Sequence, residues 1–152
     1  VVASTAFDAA FVEYTRRWAF RHPTPADFFR SMNDGLGEDL SWFWRSWFMR
    51  TDHLDQAVDS VKIVENNGQL RVRVFLSNRR EMIAPVALQR TGADGAIVAV
   101  KLPVETWLRG NTAVWLTTMP ASARPVEVVI DPKHVYPDVE RSNNSWTAPA
   151  GP

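Results

Sequence analysis

Between Leu40 and Phe48 the chain places Leu40, Phe43, Trp44, Trp47 and Phe48 at i, i+3, i+4, i+7 and i+8, a broad and mostly aromatic stripe of one α-helix. Trp42 falls off that stripe and faces elsewhere, so three of the seven tryptophans lie within six residues. This much aromatic surface must be buried against something larger than the helix that carries it. The preceding segment supplies one partner. Thr24 offers a hydroxyl cap, Pro25 stands at the first helical position where its missing N–H costs nothing, and Asp27 favours the positive helix end. A helix therefore starts there and runs to about Asp34 with Phe28, Phe29 and Met32 inward, after which Gly35 and Gly37 let the backbone leave the right-handed region. Further upstream, Phe7, Phe11, Tyr14 and Trp18 recur at i, i+4, i+7 and i+11 across Ser4 to Arg21, with Glu13, Arg16 and Arg17 elsewhere, which predicts another amphipathic helix. Residues 1–52 thus read as a three-helix segment whose last two helices form a hairpin, and the hairpin's aromatic mass makes it a docking element.

After Thr51 the apolar period shortens to two. Val58, Val61 and Ile63 lead into Asn66-Asn67-Gly68, and Leu70, Val72, Val74 and Leu76 then alternate with Arg71, Arg73 and Phe75, the pattern of a β-hairpin. Further strands are expected at Met82 to Gln89, Ala96 to Leu102, Thr112 to Thr117 and Pro125 to Ile130, between turn signals such as Ala93-Asp94-Gly95 and Arg109-Gly110-Asn111. Short strands at this spacing predict a small antiparallel sandwich over residues 53–138. Pro85 cannot donate a ladder hydrogen bond, so the Met82 strand is expected at an edge or bulged near that residue. From 139 to 152 the chain is expected to be an irregular tail.

Lysine plus arginine equals aspartate plus glutamate at 17 each, with the charges interspersed, so no electrostatic footprint for nucleic acid is visible. Cysteine is absent, which removes disulfides and thiolate metal sites without fixing a compartment. The longest apolar runs, such as Ala96-Ile97-Val98-Ala99-Val100, are too short to cross a bilayer. The chain opens on Val1-Val2-Ala3-Ser4 without methionine, as a fragment would.

Catalytic patterns are missing. A zinc hydrolase needs closely placed imidazoles and carboxylates, usually with two histidines one helical turn apart, whereas His22, His53 and His134 are far apart and stand beside prolines or at element boundaries. Asp52, His53 and Asp55 are the densest polar cluster and read as a solvated hinge between helices and sandwich, since neither a nucleophile nor a second imidazole accompanies them. No Gly-x-Ser-x-Gly elbow and no phosphate-binding glycine loop occurs. The candidate interaction residues are therefore aromatic: Trp44 and Trp47 on the docking helix, and Trp42, Trp107 and Trp115 as rings able to stack on a sugar face. Core packing is the favoured reading of those last three, because large aromatics are mostly buried.

Tyr14-Thr15-Arg16-Arg17-Trp18-Ala19-Phe20, Pro23-Thr24-Pro25-Ala26-Asp27-Phe28-Phe29 and Leu40-Ser41-Trp42-Phe43-Trp44-Arg45, followed by Ala84-Pro85-Val86, Leu102-Pro103-Val104-Glu105-Thr106-Trp107 and Val129-Ile130-Asp131-Pro132, resemble the end of the catalytic domain and the ensuing sandwich of the aminopeptidase N-type gluzincin family. The closing Pro137-Asp138 and Arg141-Ser142-Asn143-Asn144-Ser145-Trp146 resemble a bacterial branch of it. The resemblance implies an α+β fold, three helices and then an antiparallel Ig-like β-sandwich of about seven strands, from a zinc metallopeptidase whose His-Glu-x-x-His motif, distal glutamate, exopeptidase loop and catalytic tyrosine have no counterpart in this chain. It also implies a non-catalytic scaffold, with no catalytic, cofactor or metal residue of its own and zinc held in the parent protein. Its expected partner is the missing catalytic domain of the same polypeptide, or a second copy joined through the helical apolar surface; neither nucleic acid nor a membrane span is expected. Such a parent is compatible with export to a bacterial periplasm or cell envelope. The rival reading is a stand-alone sandwich module that binds a glycan or protein partner through exposed tryptophans.

Overall fold

The computed structural model describes residues 4–149; the first three and last three residues, which the expected helical segment and tail include, lie outside the described residues. The chain divides into two compact units, Val1–Thr51 and Asp52–Pro152. Among the described residues stand three α-helices and seven strands in two antiparallel sheets, an α+β chain with a sandwich-like β portion.

The helical unit contains α1 (Ser4–Trp18), α2 (Pro25–Leu36) and α3 (Ser41–Phe48). The start of α2 follows from its sequence. Thr24 Oγ1 accepts from the Asp27 N–H at 3.3 Å, while the Asp27 carboxylate accepts from the Thr24 N–H at 2.9 Å, a reciprocal capping box with Pro25 at the first helical position. Its end lies further on than the glycines suggested. Gly35 remains helical, and only Gly37, at φ +65°, takes the left-handed cap. Gly35 has another role: a Cβ built on it would stand 2.8 Å from the Ala10 Cβ, so α1 and α2 approach closely where both side chains are minimal. Ala10, Met32, Leu40 and Trp44 are the buried core of this unit.

The second unit opens with β1 (Gln56–Asn66) and β2 (Gln69–Asn78), joined by Asn67 and Gly68 at φ +50° and +73°. Two consecutive positive-φ residues are the turn geometry that matches strand twist, hence the Asn-Gly signal. Next come β3 (Val86–Gly92), β4 (Ile97–Leu102), β5 (Thr112–Pro120), β6 (Pro125–Ile130) and β7 (Ser145–Thr147). One sheet has the order β1-β2-β5 and the other β4-β3-β6-β7. Leu70, Val72, Val74 and Leu76 from the first sheet meet Val86, Leu88, Val128 and Ile130 from the second in one apolar core. Each fully covered aliphatic side chain there contributes about 1.5–3 kcal/mol.

Three expectations need correction. The strand placed at Met82 to Gln89 begins only at Val86, after Pro85, and β3 is central, not an edge, because it pairs with both β4 and β6. The residues before it are extracted from any ladder by side chains: Asn78 Nδ2 donates to the Met82 carbonyl, and Gln56 Nε2 and Trp107 Nε1 both donate to that of Ala84, each bond at 2.9 Å. The tail from 139 onward is not irregular throughout. A 3-10 turn at Arg141–Asn143 leads into β7, where Val128 pairs with Trp146, and Trp146 packs on the sandwich core. The polar residues that read as loop are its anchors: Asp138 Oδ2 accepts from the Gln56 N–H at 2.8 Å and from Asn144 Nδ2 at 3.2 Å. Finally, Asp55 is buried instead of solvated, its carboxylate accepting from Asn143 Nδ2 at 2.8 Å, which ties the start of the sandwich to that closing turn.

Candidate interaction surface

The helical unit is organised around Trp44. Its indole Nε1 donates to Asn33 Oδ1 at 2.8 Å, an oxygen that also accepts from the Leu40 N–H at 3.4 Å, so one amide of α2 fixes both the ring and the entry to α3. That entry is further held by Asp39, which accepts from the Ser41 hydroxyl and, at 2.9 Å, the Ser41 N–H; these bonds keep the Asp39 carboxyl below the usual carboxylate range. The Thr24 hydroxyl and N–H do the same for Asp27. With both turns pinned, the Trp44 ring stacks on Phe29 at 4.9 Å and meets Phe28, Phe43 and Phe48 at 5.6, 5.1 and 5.5 Å.

These rings belong to a longer series. From Phe7 the contacts run to Phe11 at 6.2 Å, to Phe28 at 6.4 Å, to Phe29 at 6.0 Å and to Phe48 at 5.6 Å, while Phe43 stacks on Trp47 at 5.3 Å. The middle of this ribbon is covered and its ends are not: Phe7, Phe11, Trp47 and Phe48 retain 40%, 46%, 42% and 59% of their surface.

The five tryptophans singled out from sequence are distributed unequally. Trp44 is the buried hub and Trp47 the exposed end, whereas Trp42 is half-buried with its ring edge-on to Phe43 at 5.8 Å. Trp107 is not available to a partner: it is buried in the sandwich core with its N–H spent on the Ala84 carbonyl. Trp115 on β5 is half-buried and packs on the same core. On α1 the stripe of Phe7, Phe11, Tyr14 and Trp18 is only partly covered: Phe7 and Phe11 are exposed, and Ala10, the position between them, is what α1 buries. Among the described residues no group of three or more His, Cys, Asp or Glu is arranged to hold a metal ion, and His22, His53 and His134 are each exposed. The residues present therefore do not fit a zinc centre.

No family model matches this sequence, and no curated protein does. A solved structure does. The chain is similar to the crystal structure of Legionella pneumophila aminopeptidase A in complex with aspartic acid, with a TM-score of 0.58 and 17% identity. The likeness is one of fold. It covers 90% of this chain and 15% of that one, so the chain spans a minor part of the solved protein's length. No helix of the described residues is long and apolar enough to cross a membrane.

Proposed function

We propose that this chain is a non-catalytic scaffold portion of a larger zinc-dependent, aminopeptidase-like metallopeptidase of the gluzincin kind, in which the aromatic ribbon of the helical unit docks on the remainder of the polypeptide. The observation that carries this reading is the fold likeness to an aminopeptidase of which the chain matches only 15%. The open ends of the ribbon support it, since Phe7, Phe11, Trp47 and Phe48 are what an absent covering domain would be expected to bury. The strand order supports the Ig-like description of the sandwich: the first, second and fifth strands share a sheet while the third, sixth and seventh share the other, with the fourth joined to the latter.

In this reading the hydrolytic water, the metal and the substrate pocket belong to the rest of the protein. Purified chain assayed with aminoacyl arylamides, and by metal analysis after incubation with zinc, is expected to show neither hydrolysis nor a stoichiometric ion. The reading frame upstream of Val1 is expected to encode a His-Glu-x-x-His helix. Zinc bound stoichiometrically by this chain's own side chains, or an upstream frame without that helix, overturns the proposal.

A further inference from the structure

One edge of the sandwich is unpaired, uncharged along most of its length and bordered by a cationic slot. β4 ends the β4-β3-β6-β7 sheet, and the direction of its backbone groups follows from the ladder. The Gly92 N–H donates to the Ala96 carbonyl, and the register pairs Thr91 with Ile97, Arg90 with Val98 and Gln89 with Ala99. Hydrogen-bonded pairs alternate in an antiparallel ladder, so Val98, Val100 and Leu102 spend their backbone groups on β3. Ile97, Ala99 and Lys101 then aim their N–H and C=O groups away from the sheet. The Asp131 N–H donating to the Ala87 carbonyl at 2.7 Å, on the far side of β3, fits the same alternation.

The side chains agree with this assignment. Val100 and Leu102 pack on the core, whereas Ile97, Ala99 and Lys101 are exposed on the outer face. On that face a slot of about 270 Å³ is lined by Ala87, Gln89, Ala99, Lys101, Lys133 and Val135, among others. Ala87 and Ala99 leave space where larger side chains would fill it, and Lys101 and Lys133 are both part of the lining. Neither lysine forms an ion pair with a described residue. The carboxylate in the lining, Asp131, is buried and already accepts from the Val135 and Tyr136 N–H groups and from Arg141. The lining therefore combines apolar surface with two lysines that no described carboxylate pairs.

Other edges lack this combination. β1 is broken by a register shift between Val58 and Ser60 and carries Asp59, Lys62 and Glu65; β5 has no basic residue along Thr112–Pro120; β7 is three residues long.

We infer that β4 is a strand-addition site for an extended acidic peptide segment of another polypeptide, which continues the sheet along Ile97, Ala99 and Lys101, lays an apolar side chain in the slot beside Ala99 and sets carboxylates against Lys101 and Lys133. Backbone hydrogen bonds hold such a segment and the slot with its lysines selects its sequence. A residue directly across from Ala99 stands about 5 Å away Cβ to Cβ, within reach of the slot for an aromatic side chain.

The test uses the full chain and a fluorescein-labelled peptide of alternating valine and glutamate with a central phenylalanine, followed by fluorescence anisotropy. Saturable binding with a dissociation constant below about 1 mM is expected. N-methylation of the peptide at alternate residues should abolish it, and replacing glutamate by lysine should weaken it about tenfold or more. In the protein, Lys101→Glu should weaken it by a similar factor. Ala99→Pro removes an outward N–H without touching the β3 ladder and should eliminate binding; the N-methylated peptide tests the same ladder on unaltered protein should that variant misfold. No saturable binding, binding indifferent to N-methylation and to charge reversal, or pairing of β4 with a second copy in place of the peptide overturns the inference.

Discussion

Single residues carry more of this fold than their neighbours in sequence suggest, and Arg90 is the clearest case. It is buried in the sandwich, its Nη1 donates to the Ala123 carbonyl at 2.7 Å, and the Met119 sulfur lies 3.4 Å away. Arg90→Met keeps most of the apolar stem but leaves that carbonyl unmet, at an expected cost of about 1–3 kcal/mol. Arg90→Ala adds a cavity and is expected to cost more, so urea midpoints followed by tryptophan fluorescence should fall in the order wild type, Met, Ala. Equal midpoints for both variants would assign the residue's contribution to packing elsewhere. At the start of α2 the corresponding device is electrostatic. Hydrogen bonds from Thr24 depress the Asp27 carboxyl, so its contribution is complete above the ordinary carboxylate range and is lost as pH falls through the lowered value. Helix content measured by circular dichroism should therefore decline below about pH 4, and Asp27→Asn should flatten that decline. It should not remove it, because Asp39 and Glu13 in the same unit are lowered too, by Ser41 and by Arg16 respectively.

At the scale of elements, what could be read in advance was whatever is encoded locally. The Thr24-Pro25-Ala26-Asp27 box and the Asn67-Gly68 turn each satisfy their own backbone within a few residues, and both stand where the sequence puts them. Residues whose role is set across the chain were misread. Pro85 signalled an edge strand or a bulge, but Gln56 and Trp107 reach the Ala84 carbonyl from far along the chain while Asn78 takes that of Met82, and the strand simply starts later. The tail from 139 onward was expected to be irregular, although Asp138 accepts both from Asn144 Nδ2 and from the Gln56 N–H. The candidate surface was half legible: the aromatic period of α3 was plain, whereas the exposure of Phe7 and Phe11 depends on Ala10 being the contact to α2. That contact yields a test. Gly35→Ala gains up to about 1 kcal/mol of helix propensity, yet its Cβ would meet Ala10 at 2.8 Å, and separating the helices costs about 1–3 kcal/mol. Net destabilisation of the helical signal is expected in thermal melts, and Ala10→Gly in the same chain should recover part of it. A stabilised single variant would mean that α1 yields freely at this point.

For the whole molecule the decisive property is the contrast between a sandwich that closes its own core and a helical unit that leaves its aromatic ribbon open at both ends. A surface kept for docking should be separable from folding by substitution. Phe7 and Phe11 suit that purpose, because they keep 40% and 46% of their surface and their ring contacts do not include Trp44: Phe7 meets Phe11, and Phe11 meets Tyr14 at 6.2 Å and Phe28 at 6.4 Å. Phe7→Ser combined with Phe11→Ser is expected to leave the near-ultraviolet dichroism of the Trp44 environment intact. It should also lower binding of an apolar dye several-fold and suppress any concentration-dependent sedimentation of the wild-type chain. If dye binding and sedimentation were unchanged while the tryptophan signal collapsed, the two rings would be structural and the docking assignment would fail. If both signals held at wild-type values, the open α1 end of the ribbon would not be what the chain offers to a partner.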